Sequence, residues 1–152
     1  MPIKPENRHR YPADWPQIRL RILKRAGYRC EHLGCNARQY SVGCWHRPGG
    51  GEWQWLGHWG QNDNPRTYEE ARQIAAEQSF DRFGDGPVPA GEPRIIVIVL
   101  TIAHLDHQPE NCADDNLRAM CQRHHLAHDQ AHHMANAWAT RKARSGTPDL
   151  FA

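Results

Sequence analysis

Four residues in two short pairs have the types and the spacing of a zinc site. Cys30 and Cys35 are separated by four residues, and Cys121 and His124 by two. Zinc prefers four nitrogen or sulfur ligands in a tetrahedron, which two short pairs brought face to face can supply. The spacing therefore predicts a structural zinc ion, which typically contributes on the order of 10 kcal/mol to folding. Such support matters in a chain of 152 residues with only 39% hydrophobic residues.

The remaining cysteines leave the ligand set partly open. The chain has five cysteines, and an odd number with one short spacing favours metal ligation over disulfides. Cys44 and Cys112 are rival zinc ligands. The alternative for both is a small buried side chain, which is the commoner role of a free cysteine.

A second group of residues has the chemistry of phosphodiester hydrolysis. His104 follows a run of β-branched residues at 95–102, and Asn116 lies twelve residues further on. His125 and Asp129 are four residues apart, so on a helix they share one face. A neutral histidine can take a proton from water, and a divalent cation can polarise the phosphate and stabilise the departing 3′-oxygen. One histidine base and one cation therefore suffice for this reaction.

The order His104, Asn116-Leu117 and His125 resembles the motif of the HNH endonucleases. These are nucleases of the ββα-metal (His-Me finger) type, and this chain is similar to their short bacterial and phage members. The resemblance implies an α+β fold in which a β-hairpin is crossed by a helix and braced by a zinc knuckle. It also implies that His104 is the general base, that Asn116 holds the hairpin loop or ligates the metal, and that His125 is a cation ligand. The products would carry 5′-phosphate and 3′-hydroxyl ends.

The chain departs from that motif at Ala103, where many family members carry an Asp or His metal ligand. Asp106 or His107 can replace the missing ligand, and Asp106 is preferred because magnesium favours oxygen. The predicted ligands of the catalytic Mg²⁺ or Mn²⁺ are therefore His125, Asp129 and Asp106. If the base is instead His107, the motif is shifted by three residues.

Local signals predict the elements that carry these residues. They are an N-terminal helix at 15–27, a helix at 67–83, a strand at 95–102 and a long C-terminal helix at about 122–144. Pro16 suits the first turn of a helix, and the hydroxyl of Thr67 suits a cap. We expect one domain over residues 1–152, with an irregular, tryptophan-rich insertion at about 45–93 and a loose tail from about 145.

Basic residues are concentrated at the N-terminus. Residues 1–29 carry a net charge of +6, whereas the whole chain carries +2. Such asymmetry favours binding to phosphates, and the predicted contacts with the DNA backbone are Arg19, Arg21, Lys24 and Arg25. A merely solvated helix face is the alternative. On the C-terminal helix, His128, His132 and His133 are expected to be solvated.

These observations favour one function and leave two rivals. The sequence predicts a divalent-metal-dependent DNA endonuclease that is cytoplasmic, because no signal segment or long apolar run is present. Phage or host DNA-processing proteins are further possible partners, and no membrane contact is expected. One rival is a zinc-braced nucleic-acid-binding module without catalysis. The other is an interaction subunit that docks a partner through its tryptophans, which otherwise stack on bases or pack a small core.

Overall fold

The computed structural model of the chain describes residues 5–57, 65–84 and 86–145. Within these ranges the fold is mixed α and β, with three α-helices and two small antiparallel sheets. The helices are α1 (Trp15–Arg25), α2 (Tyr68–Phe83) and α3 (Gln122–Ser145). The strands are β1 (Val42–His46), β2 (Gln54–Gly57), β3 (Ile96–Val97), β4 (Thr101–His104) and β5 (Leu117–Met120). No helix in the described part of the chain is long and apolar enough to cross a membrane.

The predicted helices are confirmed. In α1, Ile18, Ile22 and Leu23 are buried on one face, and the chain leaves the helix through Gly27 with a φ of +57°. The Thr67 hydroxyl accepts a hydrogen bond from the Glu70 amide at 3.2 Å and caps α2. The long C-terminal helix is α3, and the residues after Ser145, which include the predicted loose tail, lie outside the described ranges.

The irregular insertion expected at 45–93 is wrong for much of its length. Strands β1 and β2 form a hairpin there, with Trp45 opposite Trp55, and β3 pairs with the other edge of β1. Gly43 permits this pairing, since an added Cβ would lie 2.0 Å from the Leu56 carbonyl oxygen. Trp55 is buried, so part of the tryptophan-rich segment supplies core. Trp59 lies outside the described residues.

The single strand predicted over 95–102 is wrong, because two strands occupy that stretch. Strand β3 pairs with β1, whereas β4 pairs with β5, so the two halves belong to different sheets. Between them, the Leu100 amide donates to the Gln39 side-chain oxygen at 2.6 Å instead of to a neighbouring strand. Ile98 and Leu100 are fully buried there. The apolar run is therefore divided between two sheets, although Ile98, Leu100 and Ile102 along it are all buried.

The hairpin β4–β5 and its loop carry His104, His107 and Asn116 of the sequence motif. Its register places His104 opposite Leu117, and α3 begins immediately after Cys121. Helices α1 and α3 both pack against this hairpin. Ile22, Leu100 and Leu117 lie in the buried cluster between α1 and the hairpin. Residues that are far apart in the sequence are thus brought close together around one small hairpin.

Candidate metal centres and active site

The four predicted zinc ligands converge. One ligand atom from each of Cys30, Cys35, Cys121 and His124 lies within 4.8 Å of the other three. His124 Nδ1 is 3.2 Å from Cys121 Sγ and 3.6 Å from Cys30 Sγ. Zinc bonds of about 2.0–2.3 Å put neighbouring ligand atoms roughly 3.5–4 Å apart. The group can therefore hold a metal ion such as zinc.

Backbone hydrogen bonds hold the two ligand pairs together. The Glu31 amide donates to the Ala119 carbonyl at 2.8 Å, and the Cys121 amide donates to Cys30 Sγ at 3.4 Å. The Cys121 thiol also donates to the Cys30 sulfur, which lowers the pKa of Cys30 and raises that of Cys121. A thiolate is the form of cysteine that ligates metal. Without metal, this contact therefore favours the thiolate at Cys30 and the neutral thiol at Cys121.

Aromatic rings enclose the imidazole of this group. The His32 ring stacks on His124 with centroids 3.8 Å apart, and Trp45 of β1 approaches its edge at 5.9 Å. The two rival cysteines lie elsewhere. Cys44 is buried in β1, and Cys112 lies beside His104. Neither belongs to a ligand cluster among the residues that the structure describes.

A second cluster is centred on the carboxylate of Asp129. Its Oδ1 lies 3.3 Å from His107 Nδ1, and its Oδ2 lies 3.3 Å from His125 Nε2. His133 Nε2 is 3.8 Å from the same Oδ2. Asp129 and His125 are on one face of α3, as their spacing predicts, whereas His107 comes from the loop between β4 and β5. The cluster therefore joins the helix to the hairpin.

His107 is held in an unusual conformation. Its φ is +57°, a left-handed value that is uncommon outside glycine and is often found at functional sites. Its ring stacks between His128, at 4.6 Å, and His132, at 4.8 Å. These contacts fix the ring so that its Nδ1 faces Asp129. His128 and His132 were both expected to be solvated. His132 is exposed and His128 is half-buried, and both rings contact this loop histidine.

The group of His107, His128 and Asp129 is compact enough to hold a metal ion, because their ligand atoms lie within 4.8 Å of one another. Ring orientation argues against joint ligation by the two histidines. A metal lies in the plane of each imidazole that binds it, and the stacked rings are only 23° from parallel. Their lone pairs therefore run side by side instead of converging. In addition, His128 Nε2 lies 3.3 Å from the His104 carbonyl oxygen.

Asp106 is not among the residues around Asp129, and its predicted role as a cation ligand is not supported by its contacts. Its carboxylate accepts hydrogen bonds from the Gln108 amide at 2.9 Å, from Asn111 Nδ2 at 2.7 Å and from Asn116 Nδ2 at 2.9 Å. These bonds, that of Gln108 first, lower the pKa of Asp106 to about 2. Asn116 also donates to the Asn111 carbonyl at 2.8 Å. Asp106 and Asn116 together shape the loop that carries His107.

The His104 side chain is packed against the start of α1. Its ring stacks on Trp15 at 5.1 Å, Tyr11 approaches its edge at 5.8 Å, and its Nε2 is 3.8 Å from Cys112 Sγ. The residue is only 8% exposed, and this burial lowers its pKa. Side chains alternate along a strand, so Ala103 is directed toward α3 and His104 toward α1. Among the described residues, the His104 ring contacts Trp15, Tyr11 and Cys112 and not His125 or Asp129. It is nevertheless near enough to His125 that, after burial, the repulsion between the two imidazoles helps to lower the pKa of His125.

Thr101 is a member of the site that the sequence did not reveal. Its hydroxyl oxygen lies 2.5 Å from His125 Nδ1, which leaves His125 Nε2 directed at Asp129. Burial lowers the pKa of His125 and favours the neutral ring that can ligate a metal. The sequence feature that could have identified Thr101 is the alternation of side chains along a strand, which places Thr101 and Ala103 on the same face of β4.

No protein-family model, no curated protein and no solved structure matches this chain. The donor atoms of the two clusters therefore indicate what each can bind. The cysteine group offers three sulfurs and one nitrogen, a set that suits zinc. The Asp129 group offers a carboxylate between imidazoles, a set that suits a hydrolytic site with a divalent cation.

Most of the basic residues predicted to bind DNA have contacts within the protein. Arg19 donates to the Leu100 carbonyl at 3.2 Å, and Arg21 pairs with Asp114 at 2.7 Å. Arg25 donates to the Asp114 and Leu117 carbonyls at 2.5 and 2.7 Å and pairs with Glu31 at 3.0 Å. Lys24 is exposed and has no such contact with the described residues. It is the member of the set that is best placed to meet phosphate.

Proposed function

We propose that the chain is a divalent-metal-dependent DNA endonuclease of the ββα-metal type. The observation that carries this proposal is the Asp129 carboxylate, which lies 3.3 Å from an imidazole of the hairpin loop and 3.3 Å from one on α3. A hairpin followed by a helix, with histidine and carboxylate groups between them, is the arrangement that the motif implies. The side chains around Asp129 are partly accessible, as a site for a polymeric substrate requires.

In this proposal His107 is the general base. Asp129 Oδ1 lies 3.3 Å from His107 Nδ1, and this negative charge favours the tautomer that carries its proton on Nδ1 and leaves Nε2 free to accept one. A carboxylate that orients a catalytic imidazole in this way also stabilises the imidazolium that forms. His107 is 29% exposed at its side chain, whereas His104 is enclosed by Trp15 and Tyr11. The contacts thus favour the shifted register of the motif, with His107 in place of His104.

The catalytic cation would be held by His125 Nε2 and Asp129 Oδ2. Mg²⁺ and Mn²⁺ commonly bind through few protein ligands and keep water or substrate oxygens for the remainder. When bound, such an ion polarises the phosphate and stabilises the leaving 3′-oxygen. Thr101 keeps the His125 ring oriented, and Asn116 with Asp106 holds the loop that positions His107. The resemblance to the HNH family implies products with 5′-phosphate and 3′-hydroxyl ends.

The second candidate is a zinc-braced nucleic-acid-binding module without catalysis. It is favoured by Ala103, which leaves the usual ligand position before His104 without a metal ligand, and by the enclosure of His104. In that case the Asp129 cluster would only tie the loop to α3. The two candidates differ in one measurable property, since only the nuclease requires an added divalent cation to change its DNA substrate covalently.

The test is nicking of supercoiled plasmid DNA with and without added Mn²⁺ or Mg²⁺. Chelators are omitted because they also remove structural zinc. The proposal expects cation-dependent nicking by the parent protein and its loss in Asp129→Asn, with zinc content unchanged. Asp115→Asn is the matched control, since Asp115 is an exposed carboxylate outside the cluster. If the parent binds DNA but never nicks it, the binding module is the better description.

A further inference from the structure

Arg123, near the start of α3, contacts two tryptophan rings of the β1–β2 region through its guanidinium group. The Arg123 guanidinium carbon lies 4.3 Å from the centroid of the Trp53 ring and 5.6 Å from that of Trp45. Trp45 in turn meets the buried Trp55 edge-on at 5.3 Å. The inner rings are thus anchored in the fold, while Trp53 is 43% exposed at its outer edge.

Arg123 has an unused capacity to bind an anion. Its side chain is half-buried, yet it has no hydrogen bond or ion pair within the part of the chain that the structure describes. A guanidinium has five N–H donors in a planar fork that suits phosphate. The contacts with Trp53 and Trp45 are cation–π contacts, which use none of the N–H donors of the guanidinium. An anionic group is therefore the chemistry that completes this site.

Trp53 adds a surface for a flat ring beside that cation. Exposed tryptophan stacks on nucleobases in proteins that bind single strands, and a neighbouring Arg contributes further. Bases within a duplex are already stacked on their neighbours and are not available to such a ring. We infer that Trp53 and Arg123 bind one unpaired nucleotide, with the base on the Trp53 ring and its phosphate on the Arg123 guanidinium.

The inferred nucleotide site lies close to the proposed active site along the chain. Arg123 precedes the cation ligand His125 by two residues on α3, an axial rise of about 3 Å. Successive helical residues are turned by about 100°, so the two side chains leave the helix on different sides. A strand bound at Trp53 would then cross the start of α3 to reach His125. This inference rests on the proposed function and narrows its substrate to DNA with unpaired nucleotides.

The experiment measures the affinity of fluorescently labelled oligonucleotides by anisotropy, without added divalent cation so that no cleavage occurs. A single strand, the matched duplex and the same duplex with an unpaired bubble are compared. Trp53→Ala should weaken binding of the single strand and the bubble about tenfold or more, as expected for loss of one base–aromatic stack, and leave the duplex unchanged. Trp53→Phe should restore much of the affinity. Arg123→Gln should lower the slope of log affinity against log salt by about one.

Trp138→Ala is the matched control, because Trp138 is also exposed and also has a cation, Lys142, over its ring at 5.1 Å. Zinc content and melting temperature, measured for every variant, show whether the neighbouring His124 site is intact. Equal losses in the Trp53 and Trp138 variants, or none in either, would overturn the inference. A Trp53-dependent affinity in a protein that cuts no DNA would support the site while refuting the nuclease. If the protein cuts DNA but its affinity does not depend on Trp53, the nuclease is supported and the nucleotide site is refuted.

Discussion

The two ligand clusters differ in donor type, in burial and in the elements that supply them. The cysteine cluster has three sulfurs and one nitrogen, and Cys30 and Cys121 are buried. The Asp129 cluster has one carboxylate among imidazoles, and its members are partly exposed. A complete tetrahedral N/S set is typical of structural zinc, whereas a catalytic cation keeps open positions. Under the proposed function, the cysteine cluster is a metal brace for the fold and the Asp129 cluster is the site for chemistry.

The same contrast appears in how each cluster is built. The cysteine cluster is closed by backbone hydrogen bonds from Glu31 and Cys121, so its geometry follows from the fold. The Asp129 cluster depends on one loop residue, His107, which has a left-handed conformation and a ring stacked on His128 and His132. The Asn116 side chain bonds to Asp106 and Asn111 elsewhere in the same loop. Removal of a brace should unfold the chain, whereas removal of a member of the loop cluster should leave the fold intact. The predictions below test that division.

The largest effect is expected for loss of the zinc brace. Cys30→Ala should remove the metal and abolish cooperative folding, because structural zinc supplies on the order of 10 kcal/mol in small domains. Cys44→Ala is the control, since Cys44 is buried but lies outside the cluster. Elemental analysis and thermal melts provide the measurement. A Cys30→Ala protein that melts like the parent would refute the structural role.

A smaller effect on stability, and a large one on activity, is expected at Thr101. Thr101→Val removes the hydroxyl that meets His125 Nδ1 while it preserves the shape of the side chain. Loss of an orienting partner typically costs about 10–100-fold in metal affinity or activity. Thr101→Ser keeps the hydroxyl and should retain most of both. Mn²⁺ titration followed by electron paramagnetic resonance measures the affinity, and equal affinities in the Val and Ser variants would exclude this role.

The basic face of α1 should divide into structural and DNA-binding residues. Arg25→Gln should destabilise the fold by about 1–3 kcal/mol, because the side chain donates charged hydrogen bonds to two backbone carbonyls. Lys24→Gln should change stability by less than about 0.5 kcal/mol. It should weaken DNA binding and lower the salt slope by about one. Urea unfolding and salt-dependent binding distinguish the two, and identical behaviour of both variants would contradict this division.

The smallest predicted effect is a pH dependence of stability. Burial lowers the pKa of His104 in the folded state below its ordinary value of about 6.5. The unfolded chain therefore binds more protons as the pH falls below that value, so stability is lost on acidification and is flat above it. His104→Phe should reduce this slope, whereas the zinc ligands contribute equally in both proteins. Urea midpoints between about pH 5 and 7.5 measure the difference, and parallel curves would show that His104 does not titrate in this way.

The elements were predictable where local chemistry determines them. Pro16 and the Thr67 cap begin two helices, and the absence of proline and glycine after Gln122 allows the long α3. The stretch at 95–102 was not resolvable as two strands, because its break depends on the Gln39 side chain, 61 residues away. The pairing of Trp45 with Trp55 across the β1–β2 hairpin was also not predicted, because the glycine-rich sequence around it indicated an irregular segment.

The candidate site was predictable only in part, for a similar reason. The spacing of His125 and Asp129 fixed their common helix face, and the cysteine spacing predicted a group that does converge. The orientation of His104 depends on strand alternation, which directs Ala103 and not His104 toward α3. The proposed role of His107 depends on its positive φ, which cannot be predicted from the residue type. Asp106 was assigned by its affinity for magnesium, yet its oxygens are used by the loop.

The proposed active site, with His107 as its base, is tested most directly by single-turnover cleavage rates of His107→Gln and His104→Gln. Both variants are assayed at saturating Mn²⁺, with zinc content and melting temperature as controls for folding. The proposed site predicts that His107→Gln slows cleavage by roughly 10²–10⁴-fold, the usual worth of a positioned base. His104→Gln should cleave at close to the parental rate. A dead His104→Gln protein beside an active His107→Gln protein would contradict the proposal and restore His104 as the base.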